Sequence, residues 1–331
     1  MMEKTLPTNE SATSWLLGED QPAVRYHALL DLQGRADVDP EVRRAYAAIP
    51  KRGWAHEILR KQKPQGHWES PGDLYRPKYT ATNWMALVLS DLGLTKENPR
   101  VRKAADLLLN TWMKEDGENI FHDEVCIVGN TARMLTRFGY GDDPRVVKLF
   151  DRLLEDQREN GGWHCRETGN GVLDGWEALA AFAVLPKSKR TRRIKRSIER
   201  GAEFYLARRL LESGEKYAPW FRLHYPIHYY YDVLVGLDVI TKLGYGGDKR
   251  LGKALDVLKA KRLSDGRWPL ERMHPDPPNY AWGPRNLRHT IRPFALERKG
   301  KPSKWITLTA LRVLRRVEDA SREPLTNSPP I

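Results

Sequence analysis

The chain has 331 residues, 40% of them hydrophobic, 30% charged and 9% aromatic, which is ample for a packed core and too apolar for a disordered polymer. Its longest nearly unbroken apolar run, Ala178 to Leu185, is far short of the ~20 residues a membrane helix needs. The N-terminus shows no apolar stretch of the secretory kind and only two cysteines occur, so the expectation is a cytoplasmic protein without a disulfide framework. A formal net charge of +13 favours anionic ligands or surfaces.

Taken in chain order, five segments repeat one pattern: an amphipathic helix, a turn bearing Gly and an aromatic residue, then a more apolar helix. Asp39-Pro40, Asn98-Pro99 and Asp143-Pro144 each set an N-cap residue before a proline that opens a first helix. The turns centre on Gly66-His67-Trp68, Asp116 through Phe121, Gly161-Gly162-Trp163, Gly214 through Trp220 and Asp265-Gly266-Arg267-Trp268. They recur roughly every 50 residues, the length of two helices and their connections. The second helices are expected over Trp84 to Leu92, Cys126 to Phe138, Gly175 to Leu185, Tyr229 to Leu243 and Trp305 to Val317. With few charges they suit an inner layer. The pattern predicts an all-α protein, one α/α toroid of five to six hairpins spanning 1–331, with flexible ends at 1–14 and 322–331.

The turns Gln62-Lys63-Pro64-Gln65-Gly66-His67-Trp68 and Gln157-Arg158-Glu159-Asn160-Gly161-Gly162-Trp163, with Ser264-Asp265-Gly266-Arg267-Trp268 lacking the glutamine, resemble the QW-type motifs of the terpenoid cyclase and protein prenyltransferase superfamily. The resemblance extends roughly from Trp54 to Val317 and implies an α/α toroid and isoprenoid substrates. The superfamily's catalytic signatures do not carry over. The stretch Ile127 to Ala132, nearest to an Asp-x-Asp-Asp motif, has no carboxylate, Asp142-Asp143 precedes an outer helix, and Asp123-Glu124-Val125-Cys126 has the wrong spacing for an Asp-x-Cys zinc pair.

A toroid gathers every outer-to-inner turn at one end, where inner-helix N-termini also present free N–H groups. Phe221 to Asp232 is the densest polar-aromatic stretch entering that end. A helix starting at Pro226 would set His228 and Asp232 on one face as an acid-base pair, and Asp174 and Glu177 flank Trp176 at another inner helix. The competing reading is structural: hydroxyls and imidazoles satisfying a helix start, and carboxylates complementing a helix dipole. Trp84, Trp176, Tyr229, Tyr230 and Trp305 are expected either to line an aromatic cavity or to pack the core. Arg222, Arg285, Arg288 and Arg292 form the expected basic rim for a diphosphate.

Cys126, Cys165, His224 and His228 make up the inventory for a zinc site, but no CxxC or HxxxH supports it, so inert cysteines and no cofactor are the favoured reading. Lys187 to Arg196 carries seven basic residues and no acid. It reads as a solvated face, with nucleic acid or an anionic membrane surface as the alternative. Three functions stand open: an isoprenoid cyclase or prenyltransferase acting on a hydrophobic or anionic small molecule; a non-catalytic toroid holding a lipid, peptide or anionic polymer; and, more weakly, nucleic-acid binding. A partner subunit is neither implied nor excluded.

Overall fold

Each outer helix is started by its own sequence. Asp39, Asn98 and Asp143 stand before prolines, and their side chains accept from Glu41 N at 2.7 Å, Arg100 N at 3.0 Å and Arg145 N at 2.9 Å. The computed structural model describes residues 9–112, 124–163, 175–211, 221–228, 230–273, 292 and 294–322. Its helices are α1 (Asn9–Leu16), α2 (Pro22–Asp31), α3 (Pro40–Ala48), α4 (Gly53–Leu59), α5 (Thr82–Asp91), α6 (Pro99–Trp112), α7 (Val125–Leu135), α8 (Pro144–Glu155), α9 (Trp176–Val184), α10 (Arg192–Ala207), α11 (Val233–Lys242), α12 (Gly252–Ala260) and α13 (Lys304–Arg322). A π-helical turn at Thr136–Tyr140 prolongs α7. No strand occurs among the described residues, only the isolated bridges His224–Arg272 and Pro269–Pro302.

The fold is the expected all-α toroid. In the inner ring α5 packs on α7, α7 on α9, α9 on α11, α11 on α13 and α13 on α2. The ring closes between α2 and α5, where His27 Nε2 lies 3.1 Å from the Asp91 carbonyl oxygen. The remaining helices flank it outside, α6 against α5, α8 against α7, α10 against α9 and α12 against α11. The hairpin of α1 and α2 makes a sixth unit, the upper number of the five to six expected. Part of α1 falls in 1–14, the stretch expected to be a flexible end. It packs on α2 and α13 instead.

Three of the five turns are described, and they share one geometry. Trp68, Trp163 and Trp268 are buried, and each indole donates to a carbonyl ten residues back, of Ile58 at 2.8 Å, Leu153 at 2.7 Å and Leu258 at 2.7 Å. Those carbonyls sit in the last turn of the preceding outer helix, where the regular i to i+4 bonding runs out. Gln62 Nε2 donates to Gly66 O and to Arg100 O, both at 2.9 Å, and Gln157 Nε2 to Gly161 O at 2.8 Å and Ser197 O at 2.9 Å. Each glutamine therefore ties its own turn to the next outer helix. In the third turn Arg262 takes the place of the glutamine, its Nε donating to Gly266 O at 3.1 Å. Gly161 has a φ of +88°, and a Cβ there would stand 2.3 Å from Arg200 O, so both backbone conformation and space demand glycine.

Between the inner helices the tightest approach is α7 to α9. A Cβ on Gly129 would lie 2.6 Å from the Glu177 carbonyl carbon, so the two backbones touch where any side chain would hold them apart. The basic run from Lys187 to Arg196 is largely solvated, with Arg190 its one buried basic residue. Arg190 is buried and donates to Leu185 O at 3.1 Å, Lys189 pairs with Asp142, Thr191 caps α10, and Arg192, Arg193 and Arg196 remain exposed.

Candidate functional site

The inner ring encloses a cavity of about 400 Å³ along its axis, within the range of small-molecule sites. At the end formed by the inner-helix N-termini its wall includes Trp176, His224, Ile227, Asp232, Leu234, Trp305 and Ile306. Trp176, His224, Asp232 and Trp305 are all buried. At the opposite end the wall changes character, to His27, Asp31, Asp91, Arg137, Asp238, Lys242, Arg312 and Arg316, with Arg133 between the two. Asp31 and Lys242, at this end, are exposed.

The expected pairing of His228 with Asp232 does not form. The segment before α11 is not helical, and α11 begins only at Val233, because Asp232 acts as its N-cap and accepts from Val235 N at 2.8 Å through Oδ1. The other oxygen, Oδ2, accepts from His224, from the backbone N–H at 3.0 Å and from ring Nδ1 at 2.6 Å. Asp232 is 1% exposed and His224 5%. Holding the proton on Nδ1 leaves Nε2 as the lone-pair nitrogen, and Nε2 is buried with no hydrogen-bond partner. His228 instead stacks on Tyr79, ring centroids 4.8 Å apart, and meets Trp84 edge-on at 5.2 Å, while its carbonyl accepts from Asn130 Nδ2 at 2.6 Å. It belongs to the wall between helices and does not line the cavity.

The other expected residues divide. Trp176 and Trp305 line the cavity, and Trp305 stacks on Tyr225 with centroids 5.1 Å apart. Burial chiefly, with the Asp91 and Glu297 charges adding to it, pushes the Tyr225 hydroxyl well above its ordinary pKa. Trp84 is core: its indole donates to Tyr75 O at 2.7 Å. Tyr230 is half-buried and Glu177 fully buried, and neither lines the cavity. Two of the four arginines of the expected basic rim lie elsewhere. Arg222 is exposed and outside the cavity wall, and Arg292 pairs with Glu69 at 2.6 Å at the surface. Asp174, Tyr229, Arg285, Arg288 and Cys165 lie outside the described residues. Cys126 is half-buried with its thiol 3.8 Å from Glu124 Oε2, and among the described residues no three His, Cys, Asp or Glu side chains gather as a metal site.

The charged end escaped the sequence reading. Arg133 rests over the Trp176 ring, 5.2 Å from its centroid, and donates to Asn130 Oδ1 at 2.8 Å. Burial, above all, lowers its pKa to about 10. Asp91 pairs with Arg137, Asp31 with Arg312, and Asp238 with Arg316 at 2.8 Å. Burial alone would raise the Asp238 carboxyl; Arg316, then Lys242 among the neighbouring charges, hold it down at about 2. His27 is driven down to about 3 by desolvation first and by Arg312 next. One signal was legible: charges four residues apart on otherwise apolar inner helices, at His27 and Asp31, Arg133 and Arg137, Asp238 and Lys242, and Arg312 and Arg316.

No family model and no curated protein matches this sequence. Solved structures do match in fold. The type II terpene cyclase MstE from Scytonema, in its apo form, aligns with a TM-score of 0.51 at 15% identity, covering 94% of this chain and 98% of that one. A protein from Actinoplanes aligns with a TM-score of 0.50 at 16% identity over the same shares of the two chains. The chain thus has a terpenoid-cyclase-like α/α toroid fold. At such identities the likeness extends to the fold and stops there.

Proposed function

We propose that the central cavity binds an amphiphile of the isoprenoid type and that His224, oriented by Asp232, moves a proton on it. The observation that carries this reading is the buried His224–Asp232 pair at the apolar end, its Nε2 without a hydrogen-bond partner, in a cavity wall that also holds Trp176 and Trp305. A carboxylate that fixes the Nδ1 proton sets the tautomer and orientation of the ring and supports the imidazolium that forms when Nε2 takes a proton. Imidazolium is too weak an acid to protonate an isolated carbon-carbon double bond. Chemistry at His224 is therefore proton removal from a substrate carbon or hydroxyl, or protonation of a heteroatom. That assignment agrees with the absence of carboxylates over Ile127 to Ala132. The two indoles offer π-faces to the chain of the ligand and to positive charge developing on it.

The test is incubation with farnesyl and geranylgeranyl diphosphates, following binding by tryptophan fluorescence and products by gas chromatography. His224→Gln should retain binding and lower turnover by ~10²–10⁴. Absence of binding by any prenyl compound would refute the reading. A toroid that binds without chemistry is the second reading, favoured by the missing Asp-x-Asp-Asp signature, and it predicts equal behaviour of the wild type and His224→Gln.

A further inference from the structure

We propose that the cavity end opposite His224 is an anion site, in which Arg137, Lys242, Arg312 and Arg316 hold a phosphate or diphosphate group. At this end Arg137, Lys242, Arg312 and Arg316, with Arg133 just inside, face three carboxylates, Asp31, Asp91 and Asp238, the fourth carboxylate of the wall, Asp232, lying at the His224 end. Each of the three is taken by one arginine. Arg133 is held by the neutral partners Asn130 and Trp176, which leaves Lys242 as the cation with neither a counter-ion nor a hydrogen-bond partner.

Lys242 ends α11, and Asp238, one turn earlier on the same helix, is already engaged by Arg316 Nη1 at 2.8 Å. Among the described residues Lys242 makes no hydrogen bond or ion pair, and it is exposed while lining the cavity. A cation at a helix C-terminus is ordinarily a dipole partner, and that would serve for Lys242 alone. It does not account for Arg312 and Arg316, which lie one turn apart in the interior of α13. Arg312 Nη2 is used by Asp31, whereas its buried Nε has no partner. Guanidinium groups with donors to spare, drawn from separate helices and facing one cavity, form a fork for a multivalent oxyanion.

Lys242 makes the site responsive to pH. The protein around its ammonium, then the charge of Arg137, push its pKa down to about 7, with Asp238 working against them and Arg316 and Arg312 adding to them. The other charged groups facing it do not switch in that range. From α2, His27 is neutral above about pH 3, and Asp31 is held low by Arg312 against its burial; α5 contributes Asp91, bound to Arg137. Its own helix contributes Asp238. The wall residues of α9 at this end are Ala180, Ala183 and Val184, and α12 contributes none. An anion raises the affinity of Lys242 for a proton and, reciprocally, the proton raises the affinity for the anion. Binding strengthens as pH falls through about 7 and weakens above it.

The test uses sulfate, whose charge is constant between pH 6 and 9, for the pH profile, and inorganic pyrophosphate for affinity, by calorimetry at low salt. Wild type should bind both at pH 6.0, with sulfate affinity about tenfold lower at pH 8.5. Lys242→Met should bind more weakly at pH 6.0 and show no pH dependence, and Lys242→Arg should bind equally at both values. Adding farnesol and farnesyl diphosphate distinguishes sources: if the anion is the head of an amphiphile, the diphosphate binds more tightly than pyrophosphate and the alcohol loses the pH dependence; if it is a free anion, farnesol leaves pyrophosphate affinity unchanged. Absence of pyrophosphate binding at pH 6.0, or a pH dependence that survives in Lys242→Met, overturns the proposal. His224→Gln should leave pyrophosphate binding intact, so the site stands or falls separately from the chemistry assigned to His224.

Discussion

Replacing Asp232 by Ala should destabilise the protein by about 3–7 kcal/mol. The carboxylate accepts three hydrogen bonds, from Val235 N at 2.8 Å, His224 N at 3.0 Å and His224 Nδ1 at 2.6 Å, in a site where neither residue is more than 5% exposed. Losing the N-cap of α11 costs about 1 kcal/mol. Stranding two buried N–H donors of His224 costs about 1–3 kcal/mol each, the lower figure holding if water enters the space left behind. Urea unfolding followed by circular dichroism at 222 nm measures the sum. A double-mutant cycle with His224→Ala isolates the coupling, expected at about 1–3 kcal/mol. Asp232→Asn, which keeps an acceptor but turns an NH₂ toward donors, should fall between wild type and Asp232→Ala. A loss below about 1 kcal/mol for Asp232→Ala, with no coupling to His224, would mean that the pair does not hold the start of α11, and the orientation argument for Nε2 would go with it.

Gly129→Ala should lower the melting temperature by several degrees despite the better helix propensity of alanine, because the new Cβ meets backbone of α9 at 2.6–2.8 Å and the helices must separate, at about 1–3 kcal/mol; a rise in melting temperature would refute it. His27 should make the protein acid-sensitive. Below pH 6.5 the unfolded chain binds a proton that the folded chain refuses until about pH 3, so stability falls as pH drops through that window, by as much as a few kcal/mol. Urea midpoints at pH 7 and 4.5 should therefore converge in His27→Gln, and an undiminished decline in the variant would assign the sensitivity elsewhere.

What the sequence determined by itself is what neighbouring residues decide. The proline-linked caps at Asp39, Asn98 and Asp143 and the turns of Gln62, Gly66 and Trp68 complete their hydrogen bonds largely within ten residues or so, and their repetition is enough to specify helical hairpins stacked in a ring. The pairing of Asp232 was misjudged for a local reason with a tertiary consequence: helical spacing pointed to His228, but a residue that caps a helix is not yet in it, and the carboxylate turned back to His224 instead. The cationic end of the cavity could not be read at all from one stretch of chain. Arg137 from the turn after α7, Lys242 from α11 and Arg312 and Arg316 from α13 are separated by 70 residues or more between helices, and only closure of the inner ring brings them around one space. Each helix records its own pair of charges four residues apart. Whether those charges face solvent, a neighbour or a shared cavity depends on the rotation of every helix about its axis, and packing against the adjacent helices fixes that rotation.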